Sequence, residues 1–197
     1  MSPRRPRRVG VLALQGDFRE HLAALRATEV EGVPVRLRAD LEQIDALILP
    51  GGESTTMERL MEPGLRAAIK QKVDSGMPVM GTCAGMILMA SSIEDGRADQ
   101  QPLGLIDMRV RRNAYGRQVD SFEAEVESKA IGGRGPAVFI RAPQLVARGK
   151  EVQELATHNG QPVVVQQGNR LALAFHPELT PDRRWHQYFL GLDGERP

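Results

Sequence analysis

Two kinds of apolar pattern divide the chain. In the first half, short continuous apolar runs alternate with stretches whose apolar residues recur at helical spacing. Residues 9–14 (Val-Gly-Val-Leu-Ala-Leu), 45–50 and 78–81 are such runs, and 171–175 (Leu-Ala-Leu-Ala-Phe) repeats the pattern near the end. Continuous rather than alternating apolarity predicts strands buried on both faces. Phe18, Leu22 and Leu25 mark a helix over 18–28, with Asp17 as a candidate cap. Further helices are predicted over 64–74 and 84–90, and a short segment over 41–44 leads into the strand at 45–50. Residues 34–38 read as an exposed strand. From Gly104 the rhythm changes to short candidate strands at 106–111, 122–126, 137–141, 151–157 and 162–167, separated by turn residues. His158-Asn159-Gly160 is a strong hairpin signal. Thr180-Pro181-Asp182 is read as the start of a last helix, with Trp185, Tyr188, Phe189 and Leu192 as its core-facing stripe. The expectation is an α/β fold of three layers, with a mostly parallel central sheet between helices and additional antiparallel strands.

One stretch combines the two patterns. Pro78-Val79-Met80-Gly81-Thr82-Cys83-Ala84-Gly85 begins as a buried strand and ends in helix formers, with Gly81-x-Cys83-x-Gly85 between them. This is the strand-turn-helix pattern of a nucleophile elbow, with cysteine as the nucleophile. The turn needs small flanking residues and presents the Cys83 side chain, with the Ala84 N–H beside it. A lone cysteine is more commonly a small buried hydrophobe; the two glycines and the strand-to-helix context favour the reactive reading. His176 follows the strand at 171–175, and Glu178 is two residues on across the stiff Pro177, so the pair supplies a candidate base and the carboxylate that orients it. Pro50-Gly51-Gly52-Glu53-Ser54-Thr55-Thr56 follows another strand. It is either a plain turn with Ser54 or Thr55 as helix cap, or, beside an elbow, an oxyanion loop. His21 and His186 are read as lying on solvated or partly packed helix faces, and His158 as hydrogen-bonding locally.

Composition narrows the classes. The 197 residues suffice for one domain, and 41% hydrophobic with 26% charged residues fits a soluble globular protein. A net charge of +1 argues against a nucleic-acid footprint, and no apolar run approaches a membrane span. The single cysteine excludes an internal disulfide, and no Cys-x-x-Cys or His-x-x-x-His pairing occurs, so neither metal nor cofactor is expected. Residues 1–8, basic and with two prolines, read as a disordered tail before a domain over 9–197. A free thiol without an export signal points to the cytoplasm.

The motifs resemble a known family. The sequence is similar to the class I, triad-type glutamine amidotransferases, whose sheet is flavodoxin-like. Within them it looks like the glutaminase subunits of pyridoxal 5′-phosphate synthases. The resemblance rests on Leu14-Gln15-Gly16, on residues 47–56, on Gly81-Thr82-Cys83-Ala84-Gly85, on the Arg112-Asn113…Gly116-Arg117-Gln118 block, on Phe139-Ile140-Arg141-Ala142-Pro143, on His158-Asn159-Gly160 and on residues 175–180. Only the basic tail and the 94–101 loop fall clearly outside it. The resemblance implies hydrolysis of L-glutamine to glutamate and ammonia by Cys83, His176 and Glu178. It implies oxyanion donors at Gly52 and Ala84, and substrate contacts from Gly51, Gly52, Glu53, Arg112, Ile140 and Arg141. It further implies delivery of ammonia to a barrel-shaped synthase subunit in a large hetero-oligomer, with Gln15 as a candidate for coupling docking to the oxyanion loop. Competing readings are a glutaminase serving a different synthase, a flavodoxin-like binding module with an inert cysteine, and a cysteine peptidase.

Overall fold

The computed structural model describes residues 8–97, 99–112 and 121–192. A nine-stranded sheet has a parallel half and an antiparallel half. The parallel half is β2 (Glu31–Val35), β1 (Arg8–Leu12), β3 (Ala46–Leu49), β4 (Val79–Thr82) and β12 (Arg170–Leu173), in that order. The antiparallel half continues through β11 (Gln161–Gln167), β10 (Gln153–His158), β7 (Ser121–Ser128) and β8 (Gly133–Ile140). β3 and β4 are buried at every position, which explains their continuous apolarity. Helices α1 (Phe18–Ala27), α2 (Ser54–Leu60), α3 (Pro63–Asp74), α4 (Ala84–Met89) and α5 (Arg184–Leu190) complete the α/β frame. A separate small sheet joins β5 (Ala90–Ile93), β6 (Ile106–Arg111) and β9 (Gln144–Arg148). In β6, Ile106, Met108 and Val110 are buried while Asp107, Arg109 and Arg111 face out, the period of a sheet with one wet face. No described helix is long and apolar enough to cross a membrane.

Several local expectations are corrected. The second strand occupies Glu31–Val35 rather than 34–38, because residues Arg38–Gln43 wind into a 3-10 helix whose start is fixed by Arg36 and Leu37 N–H bonds to the Asp40 carboxylate at 2.8 and 2.9 Å. Arg8, assigned to the tail, is the first residue of β1, and residues 1–7 lie outside the described residues. α5 starts at Arg184, not Thr180: Thr180 turns its hydroxyl back to the Pro177 carbonyl, and the Asp182 carboxylate takes the Arg184 N–H at 2.9 Å. β5 and β9 were not foreseen. Ala-Ser-Ser-Ile lacks an apolar run, and Gln144–Arg148 is a five-residue strand crowded between Pro143 and Gly149. The Asn159-Gly160 hairpin is present, with φ of +49° and +76° at its two turn residues, as a type I′ turn needs.

The sheet brings distant segments to one edge. The carboxyl ends of β1, β3, β4 and β12 lead into Gln15–Asp17, Gly51–Glu53, Cys83 and His176. β8, last in the strand order, returns to the segment after β12, where the His176 N–H donates to the Val138 carbonyl at 2.8 Å. Rings seal this closure: Phe122 stacks on Phe139 at 4.6 Å, Phe139 lies 5.4 Å from Phe175, and Phe175 lies 6.2 Å from Trp185 of α5.

Close packing of backbones decides which glycines are replaceable. A Cβ on Gly85 would overlap the Leu49 carbonyl oxygen, whereas one on Gly64, in the first turn of α3, meets nothing within 4 Å. Gly85→Ala is therefore expected to cost about 3 kcal/mol or more in denaturant unfolding, and Gly64→Ala to stabilise by about 0.5–1 kcal/mol. Equal midpoints for the two variants would contradict this packing.

Candidate active site

Cys83 occupies the tight turn between β4 and α4 at φ +49°, ψ −105°. A non-glycine residue there stores about 1–3 kcal/mol of backbone strain. The surroundings hold it: the Cys83 N–H donates to Leu173 of β12 at 2.8 Å, and the Ile87 N–H returns to the Cys83 carbonyl at 3.3 Å. The side chain is 6% exposed, and its Sγ lies 3.5 Å from the Ile140 carbonyl oxygen.

His176 leaves β12 on the same edge, buried, with Nδ1 2.7 Å from Glu178 Oε1. A second carboxylate, Asp17 Oδ2, lies 3.4 Å from the same nitrogen. Burial alone would lower the proton affinity of His176. The Asp17 carboxylate, the nearby Cys83 sulfur and the Glu178 carboxylate outweigh it and push the pKa up to about 12. Glu178 is raised by burial, against which its hydrogen bond to His176 pulls down. His176 Nε2 has no geometric hydrogen-bond partner among the described residues, which leaves it available to the thiol and whatever the thiol attacks. The grouping Asp17, His176 and Glu178 has ligand-type atoms within 4.8 Å of one another, but Nδ1 is already engaged between the two carboxylates. It reads as an imidazole paired with carboxylates rather than a cation site.

A cavity of about 360 Å³ opens over Cys83. Of the sequence-predicted contacts, Gln15, Gly52, Glu53, Ala84, Arg112, Ile140 and Arg141 line it together with Cys83 and His176. Gly51 does not; its bare α-carbon abuts the imidazole, where a Cβ would overlap His176 Cε1. Its place is behind the imidazole, and glycine is needed for that close approach. Glu53 also does something else than expected: it, rather than Ser54 or Thr55, is the α2 cap, accepting the Thr55 and Thr56 N–H groups at 3.2 and 2.8 Å and the Thr56 hydroxyl at 2.7 Å. Burial would raise this carboxyl, but the Thr56 and Thr55 hydrogen bonds hold it below the usual range. The Gln15 side-chain carbonyl accepts the Glu53 N–H at 2.8 Å, tying the end of β1 to the Gly51-Gly52 loop. Arg112, at the end of β6, donates to Thr55 Oγ1 at 3.0 Å and Gln100 Oε1 at 3.2 Å, while its buried Nε has no partner among the described residues. The rest of the predicted Arg-Asn…Gly-Arg-Gln block, 113–120, lies outside the described residues.

The residue profile of the SNO glutamine amidotransferase family matches residues 11–192. The chain belongs to this family. It is 55% identical over 186 residues to the pyridoxal 5′-phosphate synthase subunit PdxT of Mycolicibacterium vanbaalenii, covering 92% of this chain and 95% of the relative. It is 50% identical over 188 residues to that of Thermotoga maritima, covering 94% and 98%. A crystal structure of a glutamine amidotransferase superposes with a TM-score of 0.90 at 48% identity, covering 94% of this chain and 98% of the other. A chain in the structure of PurLQS from Thermotoga maritima shares the fold, with a TM-score of 0.70 at 17% identity over 94% of this chain and 98% of that one. Family membership makes the chain a glutamine amidotransferase.

Three polar neighbours of the His176–Glu178 pair differ from their sequence reading. Asp17 was read as a helix cap, yet makes no capping bond and faces His176 instead. His21 and His186 were placed on solvated or partly packed faces but are fully buried; their spacing within short amphipathic helices gave no sign of it. Asp17 supplies a testable contribution. Removing its charge in Asp17→Asn should lower the His176 pKa toward its ordinary value, read by the pH dependence of the His176 ring signals in NMR. An unchanged titration would show that Glu178 and Cys83 alone hold the proton.

Proposed function

We propose that this chain hydrolyses L-glutamine to L-glutamate and ammonia with Cys83 as nucleophile, His176 as proton carrier and Glu178 as its orienting carboxylate. The observation that carries the reading is the line Cys83, His176, Glu178 at the wall of a cavity also lined by the half-buried Arg112 guanidinium, whose Nε is unpartnered among the described residues. Glutamine enters with its α-carboxylate toward Arg112 and Arg141, the pairing that guanidinium geometry favours. The thiol proton resides on His176 Nε2, and the sulfur attacks the side-chain amide carbon. N–H groups of Gly52 and Ala84 receive the developing oxyanion, each worth about 3 kcal/mol in comparable sites. The C–N bond breaks as His176 hands its proton to the departing nitrogen, which leaves as ammonia and a γ-glutamyl thioester on Cys83. A water then gives a proton to His176 and adds to the thioester carbon. The C–S bond breaks, glutamate departs, and the sulfur recovers its pairing with the imidazolium.

Ammonia released into water is protonated and diluted, so the product calls for a receiving synthase. The relatives named pyridoxal 5′-phosphate synthase subunit support that partner here. The resemblance points to a barrel-shaped synthase subunit that condenses a pentose phosphate, a triose phosphate and ammonia, in a large hetero-oligomer. A thiol that must stay reduced fits the cytoplasm. The Gln15 bond to the Glu53 N–H, on the cavity wall, supports Gln15 as the residue that couples docking of the synthase to the oxyanion loop.

Glutaminase activity measured with and without the synthase subunit tests the reading. Cys83→Ala should lose at least about a thousandfold in kcat while retaining the wild-type melting temperature. Arg112→Ala should raise KM for glutamine about 10- to 100-fold, with a smaller change in kcat. Gln15→Ala should lose the stimulation by the synthase while basal hydrolysis changes less. Full activity in Cys83→Ala would end the proposal.

A further inference from the structure

Behind the proposed triad lies a second polar chain made of residues that the mechanism above leaves unused. His21 of α1 and His186 of α5 are 165 residues apart in sequence and completely buried against each other, with His21 Nδ1 3.1 Å from His186 Nε2. The other nitrogen, His21 Nε2, lies 3.0 Å from the hydroxyl of Thr82, the residue before the nucleophile, and 3.4 Å from Glu178 Oε2. That carboxylate oxygen is buried without a hydrogen-bond partner among the described residues, and the His21 ring nitrogen beside it bonds the Thr82 hydroxyl. The path is thus His186, His21, Glu178, His176, Cys83.

We propose that His21 is a positioning residue for the glutaminase site, donating its Nε2 proton to Glu178 Oε2, and that His186 fixes the tautomer that makes this possible. The inference rests on the glutaminase reading for its effect on rate, though not for the hydrogen bond itself. Both imidazoles are neutral: burial lowers His21 well below its ordinary pKa, reinforced by His186, His176 and Arg183, and burial with Arg183 lowers His186 to about 4. Each ring therefore carries one N–H, and only two arrangements place a single hydrogen between the rings. In one, His186 donates from Nε2, so His21 Nδ1 accepts and its proton sits on Nε2, shared between Thr82 and Glu178. In the other, His21 donates from Nδ1. Its bare Nε2 then points a lone pair at the Glu178 carboxylate, and His186 must carry its proton on Nδ1, a buried atom with no partner among the described residues. An orphaned buried donor and a lone pair facing a carboxylate both cost free energy, whereas the first arrangement leaves only an unused acceptor on His186.

On this proposal Glu178 is held at both oxygens: Oε1 by His176 at 2.7 Å, and Oε2 by the neutral His21 ring that lies 3.4 Å from it. Burial and the nearby Asp17 charge favour the protonated carboxyl, and His176 favours the ionised one. A second donor tips the balance further toward ionisation, keeping the carboxylate able to orient the base at lower pH.

Three measurements decide it. Long-range nitrogen–proton NMR on the histidine-labelled chain should find His21 and His186 each protonated at Nε2; a proton on His21 Nδ1 overturns the proposal whether or not the protein is a glutaminase. Kinetics in the complex with the synthase subunit should then compare two variants. Asparagine in His21→Asn keeps a polar atom near Nδ1 for His186 but cannot reach Glu178, whereas glutamine in His21→Gln can place an N–H near the Nε2 position. His21→Asn should lower kcat about tenfold with KM for glutamine unchanged, and move the acid limb of the kcat profile about one unit to higher pH, while His21→Gln restores most of both. A kcat lost in His21→Asn with an unmoved acid limb, or equal loss in the two variants, would mean that His21 merely fills space. If the wild-type complex hydrolyses no glutamine, the glutaminase reading fails while the tautomer measurement still tests the hydrogen bond.

Discussion

The left-handed backbone at Cys83 is the constraint from which the site's geometry follows. A strained turn persists only if its neighbours leave it no cheaper conformation. Here the Cys83 N–H is held by β12, the helix that follows starts at once, and the flanking glycines allow the Leu49 carbonyl and the Met89 side chain to press in from either side. Parallel pairing of β3, β4 and β12 fixes where the turn sits relative to the segment carrying His176. The same pairing thus sets the backbone angle of one proposed catalytic residue and the position of another. Little freedom is left for the thiol and the imidazole to drift apart.

Charge in the site is arranged against solvent. An imidazole removed from water ordinarily loses its proton; this one retains it because two carboxylates and a sulfur surround it. A buried carboxylate of this kind is costly unless its oxygens are occupied. Glu178 lies between two rings, with Oε1 bonded to His176 at 2.7 Å and Oε2 3.4 Å from His21 Nε2. The Thr82 hydroxyl and the two core histidines bring this polar chain through the middle of an otherwise apolar packing of α1, β4 and α5.

Much of the frame was legible in the sequence, and the reasons are physical. Strands buried on both faces must be apolar throughout, so residues 9–14, 45–50 and 171–175 declared themselves, and the elbow glycines marked the nucleophile candidate. Asn159-Gly160 announced its hairpin because few residues tolerate two successive positive φ angles. What stayed hidden was long-range. His21 looked like one more polar residue on a ten-residue helix, and its burial comes from distant Thr82, Glu178 and His186 meeting around it. Asp17 has the residue type and position of a cap, yet the Asp17 N–H is drawn to the Gly51 carbonyl and its carboxylate to the imidazole. Glu53 was read through its resemblance as a substrate contact, while its hydrogen bonds serve the start of α2. Short strands such as β5 and β9 carry too few side chains to set a rhythm.

The end of β8 touches three things at once. Val138 accepts the His176 backbone N–H, the Ile140 carbonyl meets the Cys83 sulfur, and Arg141 stands on the cavity wall at φ +44°. A change in the path of this segment would disturb His176 and Cys83 together, so this wall is poorly suited to evolutionary retuning of what the cavity accepts. The opposite wall, where Arg112 arrives from a separate sheet that pairs with neither β4 nor β12, has no such obligation. Divergence in ligand preference among relatives of this architecture has its freer route there.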